Sequence, residues 1–288
     1  MTAIALPLII LSAIMHASWN LLAKRAKTTG AVLVFLFAVV ETVFYFPLVI
    51  MAINQLRLGT LSWIAVIFMI GSGLLHTIYF WLLSMGYRVG DLSIVYPVAR
   101  GTGPLLSTIG AILLFAERPT AIVLAGTVVI SIGVIILTGD PRSLMQSVAL
   151  PGIIYGVLTG FVVATYTLWD AYAMNQAEIA PLMFQGGLSV IRMFILLPFM
   201  LNRGDEVLTA WQNDKWYIIG IAILSSLAYL IILFVLAFAP VSYVAPMRTL
   251  SILIGVLLGA NLLKEQDMQR RVIAAIAIVI GVVLLNIG

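Results

Sequence analysis

The stretch from Tyr96 to Glu117 reads YPVARGTGPLLSTIGAILLFAE. One charge, Arg100, stands among apolar and small residues, and an acid closes the run. Roughly 20 apolar residues cross the hydrocarbon core of a bilayer, so a span is predicted over 92–115. Pro97, Gly101, Gly103 and Pro104 fall inside it and are expected to weaken and bend the helix. The pattern returns later in the chain. Ala245-Pro246-Met247-Arg248 is followed by Leu262-Leu263-Lys264-Glu265. Arg100 and Arg248 are 148 residues apart, and so are Glu117 and Glu265; the prolines Pro97 and Pro246 slip by one. Both copies then end alike, in Gly133-Val134-Ile135-Ile136-Leu137 and Gly281-Val282-Val283-Leu284-Leu285. Leu6-Pro7 and Leu150-Pro151 open the two copies in the same way.

Working outward, the whole chain has this character. Of 288 residues, 63% are hydrophobic and 9% charged, against about 25% charged in soluble domains. Most of the surface must therefore face lipid. Division at polar or Gly/Pro breaks predicts ten spans: 3–23, 31–53, 63–85, 92–115, 119–138, 150–172, 180–201, 216–238, 242–262 and 270–287. The expected fold is an all-α polytopic membrane protein. The apolar N-terminal run lacks a basic leader and is read as the first span. Ala239-Pro240-Val241 is the thin divide between the eighth and ninth spans.

Two five-span halves are expected, residues 1–140 and 148–288. Five is odd, so consecutive copies enter the membrane from opposite sides and the repeat is inverted. Of the 15 Lys and Arg, ten fall in one set of loops and two in the other, which puts the loop after the first span in the cytoplasm and both termini outside. Arg100, Arg192 and Arg248 lie within spans.

The residues quoted above resemble the EamA-type permeases, ten-helix members of the drug/metabolite transporter superfamily. That family's repeats end in an apolar-Gly/Ala-Glu turn and a final helix closing on a Gly-Val-Ile/Leu-Leu run. Phe115-Ala116-Glu117 fits the turn, while Leu263-Lys264-Glu265 departs from it. Trp19-Asn20 with Lys24 is similar to the end of the family's first helix. The resemblance implies a carrier whose central cavity is lined by helices 1, 3, 4, 6, 8 and 9, with helices 5 and 10 meeting as a seam on the far side. Family substrates include amino acids, nucleotide sugars, phosphosugars and cationic drugs, and one bacterial group exports aromatic amino acids.

Polar groups inside a membrane are costly unless they face a cavity or a partner, which selects the candidate residues. Ser12, His16 and Asn20 share a face of helix 1, as a cavity stripe or as a helix–helix contact. On helix 3, His76 reads as a proton relay or as a neutral hydrogen-bonding group, with Tyr79 a turn away. Tyr96 and Arg100 on helix 4, and Arg248 on helix 9, offer guanidinium groups that can clamp a carboxylate; the alternative is that each arginine snorkels to the interface. Glu41 and Arg192 occupy matching depths of helices 2 and 7, as a structural or gating pair or as a coupling site. Gln185, Ser189 and Arg192 share one face of helix 7, which is expected to look inward. Tyr79, Tyr96, Tyr166 and Tyr229 lie deep enough to stack on a planar substrate. Trp169 is a further binding candidate, with the interfacial aromatic belt as its alternative. Gly152, Gly156 and Gly160 suit close helix packing. Glu117 and Glu265 are expected to cap the loop before helices 5 and 10, where a place N-terminal to those helices suits the dipole.

With no cysteine and two histidines, thiol chemistry and Cys- or His-rich metal sites are excluded. No HExxH, P-loop or facing carboxylate pair occurs. The expectation is a monomeric secondary transporter, without enzymatic activity, cofactor or metal. It would sit in the inner membrane, touch lipid and a small-molecule substrate but no nucleic acid, and export amino acids including aromatic ones. A membrane-embedded enzyme acting on lipid or isoprenoid substrates and a non-transporting helper subunit are the alternatives.

Overall fold

The computed structural model describes residues 4–56, 62–89, 92–138, 150–255 and 268–288. They form α1 (Ala5–Arg25), α2 (Gly30–Leu56), α3 (Trp63–Val89), α4 (Leu92–Phe115), α5 (Ala121–Thr138), α6 (Leu150–Asn175), α7 (Pro181–Met200), α8 (Gly204–Leu236), α9 (Val241–Met247) and α10 (Met268–Ile287). Seven of these helices are long and apolar enough to cross a membrane. The protein is an all-α, multi-pass membrane protein.

Local chemistry sets the helix ends. Lys24 and Arg25 occupy the last turn of α1, where cations complement the negative end of the helix dipole. The Thr120 hydroxyl accepts the Val123 N–H and starts α5. Pro181 opens α7, the one helical position where its missing N–H costs nothing. The N-terminus of α8 corrects the sequence reading. The polar segment before 216 is helical from Gly204 onward, with Asp205 and Glu206 in its first turn. Polarity marked this segment as outside the lipid, but helix propensity and a favourable dipole extend the helix beyond the apolar window. Helices 8 and 9 are separate, with Pro240 leading into α9.

The ninth span also differs from expectation. Helix α9 stops at Met247, a turn follows at Arg248 and Thr249, and helix resumes over 250–255. Pro246 has no N–H to donate. Its carbonyl is taken by the Thr249 N–H at 3.1 Å and the Thr249 hydroxyl at 2.6 Å, so the chain tightens to i→i+3 bonding there. The rest of the predicted span, and Glu265, lie outside the described residues. Helix α4, with its own prolines and glycines, runs unbroken from Leu92 to Phe115.

Packing follows a regular scheme. Counting each half from its own first helix, the α1–α8 contact becomes α6–α3, and α2–α8 becomes α7–α3; α2–α7, α4–α9 and α5–α10 each map onto themselves. All of these contacts are made. Pro47 lies inside α2 and Pro198 inside α7, at the same spacing of 151 that separates Glu41 from Arg192. Helices α5 and α10 meet closely: a Cβ on Gly126 would lie 2.9 Å from the Gly281 carbonyl, and one on Gly281 would lie 2.8 Å from the Gly126 carbonyl. Gly156 and Gly160 let α6 approach Val98 and Ala99 of α4 in the same fashion. The outward surface is apolar, with Leu113, Phe199 and Trp216 exposed, whereas Glu41, Asp170, Gln185, Ser189 and Arg192 are buried inside. The three candidates on the α7 face are thus all turned inward.

One cap crosses between halves. Helix α4 ends at Ala116, whose positive φ of 54° goes with a Glu117 N–H bonded to the Ala111 carbonyl. A small residue tolerates this left-handed position better than a branched one. The turn aims Glu117 away from α5. Its carboxylate accepts the N–H groups of Val241 and Ser242, at 2.8 and 3.0 Å, and the Ser242 hydroxyl. Glu117 therefore caps α9 rather than the helix that follows it, because the turn geometry, not sequence adjacency, decides which orphan N–H groups it meets.

Candidate functional site: a central cavity between the two halves

Helices α1, α4, α6, α8 and α9 surround a small cavity. Small residues make room for it: Ala13 on α1, Ala99 on α4, Ala228 on α8 and Ala245 on α9 all line the wall. Polar groups come from every side. Ser12 and His16 enter from α1, Arg100 and Ser107 from α4, Tyr166 and Thr167 from α6, Tyr229 from α8, and Arg248, Thr249 and Ser251 from beside the break in α9. Two guanidinium groups thus reach one space. Each is also set over an aromatic face, with Arg100 5.4 Å from the centre of the Tyr96 ring and Arg248 5.4 Å from that of Tyr229. Such stacking holds a cation in place without neutralising its charge.

Of the sequence candidates, His16, Arg100, Tyr166, Tyr229 and Arg248 line the cavity. His76 stands directly behind it. Its ring stacks on Tyr166 at 4.2 Å and meets Tyr229 edge-on at 5.4 Å. Its Nδ1 lies 2.9 Å from the Ser72 carbonyl; a carbonyl only accepts, so that bond assigns the ring proton to Nδ1. Tyr79 packs edge-on against Tyr166 at 6.2 Å, and Tyr96 serves the wall through Arg100. Helix α3 thus backs the lining instead of contributing to it.

Two candidates lie elsewhere. Asn20 is exposed and donates to the carbonyl of His16 at 2.7 Å, which leaves it on the outer side of α1. Trp169 donates its indole N–H to the Phe68 carbonyl at 2.8 Å. It lines a separate apolar groove between α3, α4 and α6, whose Ile109, Leu113, Leu114 and Phe161 are exposed on the lipid side.

Glu41 and Arg192 form an ion pair of 3.2 Å, both buried. Ser189 and Ser225 add hydroxyl donors to the Glu41 carboxylate at 3.0 and 3.3 Å. Three helices, α2, α7 and α8, converge on this one carboxylate. A charge at the centre of a span costs about 2.5–3.5 kcal/mol on insertion scales, and such pairing offsets it.

Sequence reasoning passed over Asp170. It is fully buried on α6 and accepts the Tyr229 hydroxyl on Oδ2. The predicted span ended at 172, but α6 continues to Asn175 and turns this carboxyl inward. The available signal was the acid itself within an otherwise apolar run.

Residues 150–287 match the EamA-like transporter family. A crystal structure described only as that of a protein is similar to this chain, with a TM-score of 0.78 at 13% identity, over 98% of this chain and 96% of that one. At that identity the likeness shows the fold alone. No curated protein matches. Through its second half, then, and with the fold and cavity just described, the chain is similar to the EamA-like transporters, a family of membrane carriers of small metabolites.

Proposed function

We propose that the protein is a secondary carrier that exports amino acids, aromatic ones included, by alternating access, working in the inner membrane as a monomer. The observation that carries this reading is the convergence of Arg100 and Arg248 on one cavity walled by Tyr166, Tyr229 and His16. The arginines suit a carboxylate, which they bind with charge-assisted hydrogen bonds. The aromatic wall suits an apolar or planar side chain. The exchange pattern of helix contacts and the paired prolines support two inverted halves, residues 1–140 and 148–288, with the substrate held between them. In this reading the halves rock about the cavity and expose it to each side in turn. Glu41 and Arg192 act as a structural pair that ties α2 to α7. His76 and Tyr79 buttress the binding wall.

The test is transport by the purified chain in liposomes, with labelled L-phenylalanine as the probe and its decarboxylated analogue phenethylamine as competitor. Phenylalanine should exchange across the bilayer, and phenethylamine should compete poorly. Arg100→Ala should remove most of this preference. Equal competition by both compounds in the wild type would dispose of the carboxylate clamp. Failure of any amino acid to cross would favour a helper subunit or an enzyme instead.

A further inference from the structure

Asp170 is a buried acid outside the cavity lining. It has no exposed surface. Its Oδ2 accepts the Tyr229 hydroxyl. The Ser72 side chain is close enough to the carboxyl to interact with it, yet no group meets Oδ1 with direct hydrogen-bond geometry among the described residues. The ion pairs among those residues are Arg192–Glu41 and Arg203–Glu206, so Asp170 has no cation at contact distance there. Glu41 is buried as well but differs in its partners, since a guanidinium and two hydroxyls satisfy it. Burial penalises an ionised carboxylate that lacks a cation, and a bound proton removes that charge. The orphaned Oδ1 is the atom with room for it.

The neighbours of Asp170 link it to the cavity. Tyr229 of α8 both lines the cavity and donates to Asp170. Arg248 beside α9 lies over the Tyr229 ring and acts electrostatically on the carboxyl. From α3 come Ser72 and His76, whose ring meets Tyr229. Tyr166 is the titratable neighbour on α6 itself, and Arg100 of α4 lies across the cavity, where it acts on His16 and Tyr79. A ligand that draws Arg248 or shifts Tyr229 therefore changes the surroundings of Asp170 through a single ring.

We propose that Asp170 is the proton-binding site that couples transport to a pH gradient. This rests on the carrier reading above. An O–H bond forms at Oδ1 with a proton taken from water in one state of the carrier. It breaks to water in the opposite state, and no other bond changes. Asp170 lies five residues before the end of α6, a short distance from the aqueous face at the α6–α7 turn. Proton and substrate exchange in opposite directions.

The experiment uses the full chain in liposomes with labelled L-phenylalanine. An acidic lumen should drive its accumulation by the wild type. Asp170→Asn keeps the size of the side chain and an acceptor for Tyr229. It should lower gradient-driven accumulation about tenfold while phenylalanine–phenylalanine exchange at equal pH persists. Accumulation by Asp170→Asn at the wild-type level, or a wild type indifferent to the gradient, would overturn the proposal. Infrared titration supplies a readout that needs no substrate. A protonated-carboxyl C=O stretch should be present in the wild type, absent in Asp170→Asn and retained in Glu41→Gln. If phenylalanine never crosses, the amino acid reading fails, and the infrared band still decides: its survival in Asp170→Asn overturns the proton site, and its loss there alone supports it.

Discussion

The seam between α2 and α7 and the seam between α4 and α9 both join α1–α5 to α6–α10, yet they treat arginine in opposite ways. At the first, Arg192 is closed in against Glu41 with two serines completing the acid's bonding. At the second, Arg100 and Arg248 lie over tyrosine rings and look into empty volume. An ion pair offsets the cost of burying its charges but leaves nothing for a ligand. The guanidinium groups of Arg100 and Arg248 instead form part of the cavity wall. In the proposed function the contrast separates a structural seam from one that meets a solute, although the residue type is the same.

The comparison can be broken or sharpened by mutation, and the closed seam should give the largest effect on stability. Removing one member of a buried pair leaves the other charge uncompensated, so Arg192→Ala should cost about 3–5 kcal/mol. Thermal unfolding in detergent measures it, and replacing both members by apolar residues should recover much of the loss. If Arg192→Ala melted like the wild type, the closed seam would not be the structural one. Arg100→Ala at the open seam should leave melting nearly unchanged and weaken binding of a carboxylated solute. Loss of a charge-assisted hydrogen bond costs about 1.5–3 kcal/mol, or roughly 10- to 100-fold in affinity. A matched loss of thermal stability would make Arg100 a structural residue after all. Next comes the inter-half cap: Glu117→Ala strips α9 of its acceptors and should cost about 1 kcal/mol, read as a small fall in melting temperature that Glu117→Gln partly restores. The exposed pair Arg203–Glu206 is the control. Solvent screens it, and Arg203→Ala should leave melting and transport unaltered.

Much of the fold was legible because lipid leaves so few options. A backbone in hydrocarbon must satisfy itself, so a run of some 20 apolar residues can hardly be anything but a helix. Membrane class, most span positions and the inward face of Gln185, Ser189 and Arg192 followed from that constraint. Linear position was less informative about azimuth. Asn20 shared a helical stripe with Ser12 and His16, yet the stripe turns outward by its third member. Asp170 drew no reading from its position near a span end and is buried by the rotation of α6. The polar start of α8 was hidden because hydropathy detects lipid contact and not helicity. Nor could local spacing show that Glu117 reaches α9, since its partners lie 124 and 125 residues away.

The glycine contact at α5 and α10 limits how the protein can move. Gly126 and Gly281 each present bare backbone to the other's carbonyl, and their neighbours there are Leu284 and Ile130. Sliding one helix along the other by a single residue, about 1.5 Å, would drive those branched side chains against opposing backbone. A second close approach, of Gly133 to Ala274 and Ile278, lies two turns along the same pair and opposes pivoting about the first. Pinned at two levels, the two helices are held as a single strut that neither slides nor splays.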